Sequence, residues 1–294
     1  AEHQFIDGTV YHWWHPISEF GMITKKTDDL LWLAYVTLNY LEETNDFTIL
    51  EAKAKYIDGP EGTLYEHCVK AIDKVFSRFS PRGLPLIGEG DWNDGLCMVG
   101  LNWKGESIWL AHFLYGILVR WGSANKDRKD INEKIKHYLD RAERLKEAIN
   151  KYCWDGKWYI RATRDDGAPL GSSRCKEGKI FLNAQTWGII TNTATPERAN
   201  SAMKNVEDIL DREYGPLLFY PAYTAPDEGI GYLSSYAPGI RENGGVYCHA
   251  ACWAIMAECI LGKGDAAYNM YSKLCPVNRG MDPELYCTEP YVMP

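Results

Sequence analysis

A succession of helix-length apolar segments, each divided from the next by a loop rich in glycine, aromatics and charge, most restricts how this chain folds. Thr27-Asp28-Asp29 opens the first, over 30–41, with acids suited to a helix N-terminus. One of the two aspartates is expected to cap while the other faces a ligand. Further helices are predicted near 63–80, 107–121, 130–152, 181–191, 195–211, 247–261 and 265–274. Pro196 sits in the first turn of the 195–211 segment. The Lys, Arg and Glu of 130–152 read as a solvated face. Strand signals are few beyond a short hairpin at Trp154–Tyr159. Antiparallel helices joined in this way predict an all-α fold, an α/α toroid. With 294 residues, no linker composition and no repeat of 20–50 residues, the chain reads as one domain, 1–294. It opens at Ala1 and stops at Tyr291-Val292-Met293-Pro294 in a loop-like stretch, so it is expected to be a piece of something longer.

Charge and cysteine usage narrow the function classes. A net charge of −8 and a pI near 5.5 argue against nucleic acid as a partner. No apolar run has the length of a membrane span, and no signal peptide opens the chain. The nine cysteines are odd in number, scattered and without a CxxC pair. Cys248 and Cys252 bracket His249, but a zinc site needs a second pair of ligands, and none is found, so no metal is expected. Reduced, mostly buried thiols in a cytoplasmic protein are the expectation. The 11 Trp and 19 Tyr suit a carbohydrate-handling protein.

The candidate chemistry lies in Gly88-Glu89-Gly90-Asp91-Trp92-Asn93-Asp94-Gly95. Its three glycines forbid a stable helix and allow close backbone approach. In an extended segment Trp92 and Asp94 point one way, Asp91 and Asn93 the other. A carboxyl beside an indole suits a sugar site, the ring stacking on the pyranose while the acid reaches the glycosidic oxygen. An acidic turn bonding its own backbone is the other reading these residues leave open. His12-Trp13-Trp14-His15-Pro16 points to aromatic packing rather than a metal pair. The stretch 216–245 is a long aromatic connection rich in Gly and Pro, of the length that usually carries function.

Several blocks together resemble the inverting disaccharide phosphorylases that include the cellobiose and chitobiose phosphorylases. They are the His12–Pro16 segment, Thr27-Asp28-Asp29-Leu30-Leu31-Trp32-Leu33, Gly90–Gly95, Gly105-Glu106-Ser107-Ile108-Trp109-Leu110, Tyr220-Pro221-Ala222-Tyr223-Thr224, Tyr236 to Gly245, His249-Ala250 and Glu289-Pro290-Tyr291-Val292. They follow the family's order and cover nearly the whole chain. The combination of Asp-Trp-Asn-Asp-Gly, Arg-Glu-Asn-Gly-Gly and a trailing His is specific.

The resemblance implies the (α/α)6 barrel of a larger protein that also has an N-terminal β-sandwich. The implied reaction is reversible phosphorolysis of a β-linked disaccharide or oligosaccharide to an α-sugar 1-phosphate. Asp94 matches the general acid and Trp92 lines the sugar site beside it. Asp29 matches the aspartate that holds the glycone, Tyr236, Arg241 and Glu242 match positions around the acceptor sugar, and His249 matches a phosphate-binding histidine. No cofactor is implied; phosphate is a co-substrate, and a homodimer is the family's common state. A hydrolase or transglycosylase of the same class would need a second carboxylate, with Glu242 and Glu289 as candidates. A binding-only helical domain is the third reading.

Two departures from the family pattern stand out. Ile23 falls where the family commonly has a sugar-contacting arginine, and Lys25 is the nearby residue that could supply a charge, as a point donor rather than a fork. The family's second phosphate-binding element, a Thr-Gly pair, falls beyond residue 294.

Overall fold

The computed structural model describes residues 1–126, 132–289 and 291–293. The first two residues predicted for the 130–152 helix, and Pro290, lie outside them. Among the described residues, eight helices of nine residues or more carry the fold: α1 (Trp32–Thr44), α2 (Leu64–Phe76), α3 (Ile108–Ala124), α4 (Asn132–Tyr152), α5 (Leu182–Ile190), α6 (Pro196–Asn205), α7 (Cys248–Ile260) and α8 (Gly264–Leu274).

Local chemistry starts several of these helices. Thr63 and Glu66 form a reciprocal capping box on α2. The Ser107 hydroxyl accepts from the Leu110 N–H to cap α3, and Thr195 caps α6 with Pro196 in the first turn. Asp28 and Asp29 lie in a 3-10 turn, Asp28–Leu30, ahead of α1. Neither carboxylate caps the helix there, because Asp28 takes the Trp32 indole N–H and Asp29 turns towards His12. The helix predicted to Ser80 stops at Phe76, and the one predicted to Asp211 becomes a π-helical turn over Val206–Leu210.

Two layers result. α3 and α5 are buried almost all round, the pattern of helices enclosed by others. α2, α4, α6 and α8 keep a polar face in water. Neighbours run α1–α3–α5–α7 along the inner layer, and each inner helix pairs with the outer helix that follows it in sequence. Four helical hairpins are therefore arranged in an arc among the described residues. Trp32, Trp109, Phe113, Trp187 and Trp253 interlock at its centre, with ring centroids 4.8–6.3 Å apart. At the two ends of the arc apolar side chains face outward, Val36 and Tyr40 on α1, Met256 and Ile260 on α7.

Short antiparallel pieces brace the loops at the N-terminal ends of the inner helices. One three-stranded sheet joins Glu106–Ser107, Ala162–Thr163 and Pro169–Leu170, and Trp154 bridges Tyr159 as the hairpin signal predicted. The cysteines correct the expectation of mostly buried thiols: only Cys68 and Cys153 are buried, while Cys252, Cys259 and Cys287 are exposed.

Candidate active site

The alternation predicted for the glycine-rich loop is what the loop does. Asp91 and Asn93 are buried, while Trp92 and Asp94 face the open side. The Asp91 carboxylate pairs with the Arg161 guanidinium, both fully buried, and takes the Ser107 hydroxyl at 2.6 Å. Asn93 Oδ1 accepts from Arg161 and from the Asn183 amide at 2.9 and 3.0 Å. These bonds tie the underside of the loop to the starts of α3 and α5. Gly88, at φ +65°, passes so close to the main chain that a Cβ there would overlap the Lys25 carbonyl oxygen.

On the upper side, Asp94 Oδ1 is ion-paired with the Lys26 ammonium and lies 3.8 Å from His12 Nε2. The other nitrogen of His12, Nδ1, sits 3.0 and 3.1 Å from the two oxygens of Asp29, which also accepts from the Thr24 hydroxyl at 3.1 Å. The Asp29 bond raises the His12 pKa against the opposing effect of burial. Asp28, fully buried, is pushed well above the usual carboxylate range by burial and then by Asp29.

Trp92 packs on Trp253 and Tyr247, with centroids 4.7 and 5.4 Å away, and its indole N–H donates to His249 Nδ1 at 3.2 Å. Burial lowers the His249 pKa. His249 is the second residue of α7, whose N-terminus has no side-chain cap.

The 216–245 connection delivers the remaining candidates. Its 3-10 turn, Tyr232–Ser235, is stitched to the glycine-rich loop: Leu233 N–H donates to the Gly95 carbonyl and Gly95 N–H to Glu242 Oε2, both at 3.1 Å. Burial, and after it the Asp94 charge, raises the Glu242 pKa; the Gly95 N–H works against that. Burial followed by the charge of Asp94 also pushes up the Tyr232 phenol. Arg241, in the left-handed region at φ +51°, lays its guanidinium 4.8 Å from the Tyr236 ring centre. The Asn243 side chain holds this turn by bonding the main chain of Tyr223 and Tyr236.

All seven sequence candidates therefore lie on three segments that meet at the N-terminal ends of the inner helices, Asp29 before α1, Trp92 and Asp94 over α3, Tyr236, Arg241, Glu242 and His249 around α7. Sequence reading missed Lys26, His12 and Arg161. Lys25, proposed as the nearby charge, is exposed and gives only its N–H, to Glu89; Lys26 is the one turned inward. His12 serves in the acidic cluster rather than in aromatic packing. Asp91, turned away from Asp94, has its charge paired with Arg161.

The model of the glycosyl hydrolase 94 superfamily, catalytic domain, matches residues 1–294. The chain belongs to that family. This glycosyl hydrolase 94 domain is 36% identical over 292 residues to the solabiose phosphorylase of Paenibacillus borealis, covering 99% of this chain and 37% of that protein. It is 36% identical over 316 residues to the cyclic beta-(1,2)-glucan synthase NdvB of Rhizobium meliloti, all of this chain but 11% of that protein. With the N,N'-diacetylchitobiose phosphorylase of Vibrio furnissii the identity is 32% over 273 residues, 92% of this chain and 34% of the relative. The domain thus spans little more than a third of the phosphorylases it matches. Among solved structures, an uncharacterized conserved protein from Thermus thermophilus superposes with a TM-score of 0.64 at 13% identity, covering 95% of this chain and 77% of that one. A rhamnosidase from Klebsiella oxytoca with rhamnose bound gives 0.59 at 16% identity, covering 97% and 46%. Both likenesses concern the fold alone. No helix among the described residues is long and apolar enough to cross a membrane.

Proposed function

We propose that this domain carries the reacting centre of an inverting glycoside phosphorylase. In this reading it splits a β-linked gluco-disaccharide or oligosaccharide with inorganic phosphate and releases an α-sugar 1-phosphate. Asp94 gives its proton to the glycosidic oxygen as the bond from the anomeric carbon breaks, and a phosphate oxygen bonds to that carbon from the opposite face. Asp94 takes a proton back from solvent. Phosphate is already an anionic nucleophile, so no second carboxylate has to activate water.

The observation that carries this reading is that Trp92, two residues before Asp94 on the same loop, donates its indole N–H to His249, so the acid's loop and the start of α7 are in direct contact. In this reading the acid works from the glycine-rich loop and phosphate sits at the N-terminus of α7, which has no side-chain cap and carries His249 as its second residue. Main-chain N–H groups and the helix dipole favour an anion there. Asp29 is turned to take sugar hydroxyls on the glycone side, with His12 and Thr24 fixing it. Tyr236, Arg241 and Glu242 line the acceptor side. No cofactor enters this scheme. The full six-hairpin toroid, a homodimer and a cytoplasmic setting belong to the same proposal.

Glu242 is the observation that favours a hydrolase, since its carboxyl is near Asp94 and its pKa is raised. It is anchored to Gly95, the residue next to Asp94, whereas a hydrolytic base must work from the far side of the sugar. The deciding experiment incubates the protein with a panel of β-linked gluco-disaccharides, with and without phosphate. Sugar 1-phosphate formed only when phosphate is present supports the proposal. Free sugar released at the same rate without phosphate moves the assignment to hydrolysis.

A further inference from the structure

We propose that Lys26 is a positioning residue that holds Asp94 by one oxygen, Oδ1, and so dedicates the other, Oδ2, to proton donation. The inference rests on the general-acid reading of Asp94 given above.

Lys26 is built for a fixed contact. Its side chain is 8% exposed. Its carbonyl accepts from the Arg78 guanidinium at 3.2 Å, and its N–H donates to the Thr24 hydroxyl at 3.3 Å, so the main chain beneath the ammonium is pinned on both sides. Asp94 is the one carboxylate within ion-pairing distance of Lys26 among the described residues. Among the described residues, the other side-chain group within hydrogen-bonding distance of the ammonium is His12 Nε2 at 3.5 Å.

Asp94 needs such a contact. Its side chain is 47% exposed on a glycine-rich loop, where two free torsions would otherwise scatter the carboxyl over many directions. Both contacts that hold it, to Lys26 and to His12, fall on Oδ1. Oδ2 has no hydrogen-bond partner among the described residues. When the proton rides on Oδ2, Oδ1 is the carbonyl oxygen of a neutral acid and still accepts from the ammonium. Lys26 keeps its own protons throughout. The Oδ2 proton goes to the glycosidic oxygen as the C1–O bond breaks. A well-placed proton donor matters only as far as the leaving group needs its proton.

That dependence supplies the test. Phosphorolysis of phenyl β-glucoside, whose leaving group needs protonation, is compared with that of 2,4-dinitrophenyl β-glucoside, whose leaving group does not. Lys26→Met is expected to lower kcat/KM for the phenyl glucoside by about tenfold or more while changing the dinitrophenyl rate by less than about twofold. Lys26→Arg should recover part of the phenyl activity, since it restores a cation at the same place. The dinitrophenyl rate itself reports folded protein, and Lys26→Gln serves as a second neutral variant. Equal losses on both substrates, or no loss on either, overturn the inference. Asp94→Asn runs beside them. If it fails to discriminate between the two substrates, the general-acid reading falls; if it discriminates and Lys26→Met does not, only the role of Lys26 falls.

Discussion

The indole N–H of Trp92 donates to Nδ1 of His249 across 3.2 Å. An indole can only donate, so Nδ1 must be the unprotonated nitrogen and the neutral ring carries its proton on Nε2. The histidine then offers an N–H donor beside the α7 N-terminus without needing a charge. Burial lowers its pKa, which works in the same direction.

Trp92→Phe keeps an aromatic ring against Trp253 but removes the donor that sets this tautomer. The KM for phosphate is expected to rise by roughly 5- to 30-fold, equivalent to about 1–2 kcal/mol for one lost hydrogen bond. Initial rates at varied phosphate concentration check it. An unchanged phosphate KM would mean that the tautomer of His249 is irrelevant to the anion.

Glu258 on α7 gives a pH signature in stability. It is fully buried, 3.7 Å from the Lys263 ammonium, which itself bonds Glu207 at 2.7 Å. Burial pushes its carboxyl up to about 7, with Lys263 opposing and Glu207 adding to the rise. The folded state therefore holds a proton that the unfolded chain releases near 4.5, so this group costs stability increasingly as pH climbs from about 4.5 to about 7. Glu258→Gln should stabilise the protein at pH 8 by on the order of 2 kcal/mol and change little at pH 4.5. Urea denaturation at the two pH values measures it, and an equal effect at both would contradict the assignment.

The ion pair beneath the glycine-rich loop tests how that loop is supported. Asp91 and Arg161 are both wholly buried, so removing one leaves the other uncompensated in the interior. Arg161→Met is expected to cost about 3–5 kcal/mol. Thermal unfolding reads this as a lowered Tm, and a wild-type Tm would mean that the pair does not hold the loop.

Much of this site was legible because its signals are local. The period-two alternation of Asp91, Trp92, Asn93 and Asp94 separates the buried pair from the open pair without any knowledge of the fold. The capping residues Thr63 and Ser107 and the apolar runs of α3, α5 and α7 locate the helices to within a few residues. What stayed hidden depends on side chains far apart in sequence. Arg161 reaches Asp91 because it directly precedes the Ala162–Thr163 strand that pairs with Glu106–Ser107, and nothing near residue 161 marks it. Lys25 and Lys26 are adjacent and chemically alike; which one turns inward is decided by the packing of Arg78 and Thr24 around the main chain of Lys26. His12 sits among aromatics in the sequence, yet Asp29 claims it in space.

The central claim is that one carboxyl, Asp94, protonates the leaving sugar while phosphate attacks from the far side. Its most direct test is the kcat of Asp94→Asn for phosphorolysis of a β-linked gluco-disaccharide, read as sugar 1-phosphate released. The amide has the shape of the acid but cannot give up a proton in this way, and the account predicts a loss of about 10²–10⁴-fold. An Asp94→Asn protein that turns over at the wild-type rate would contradict it.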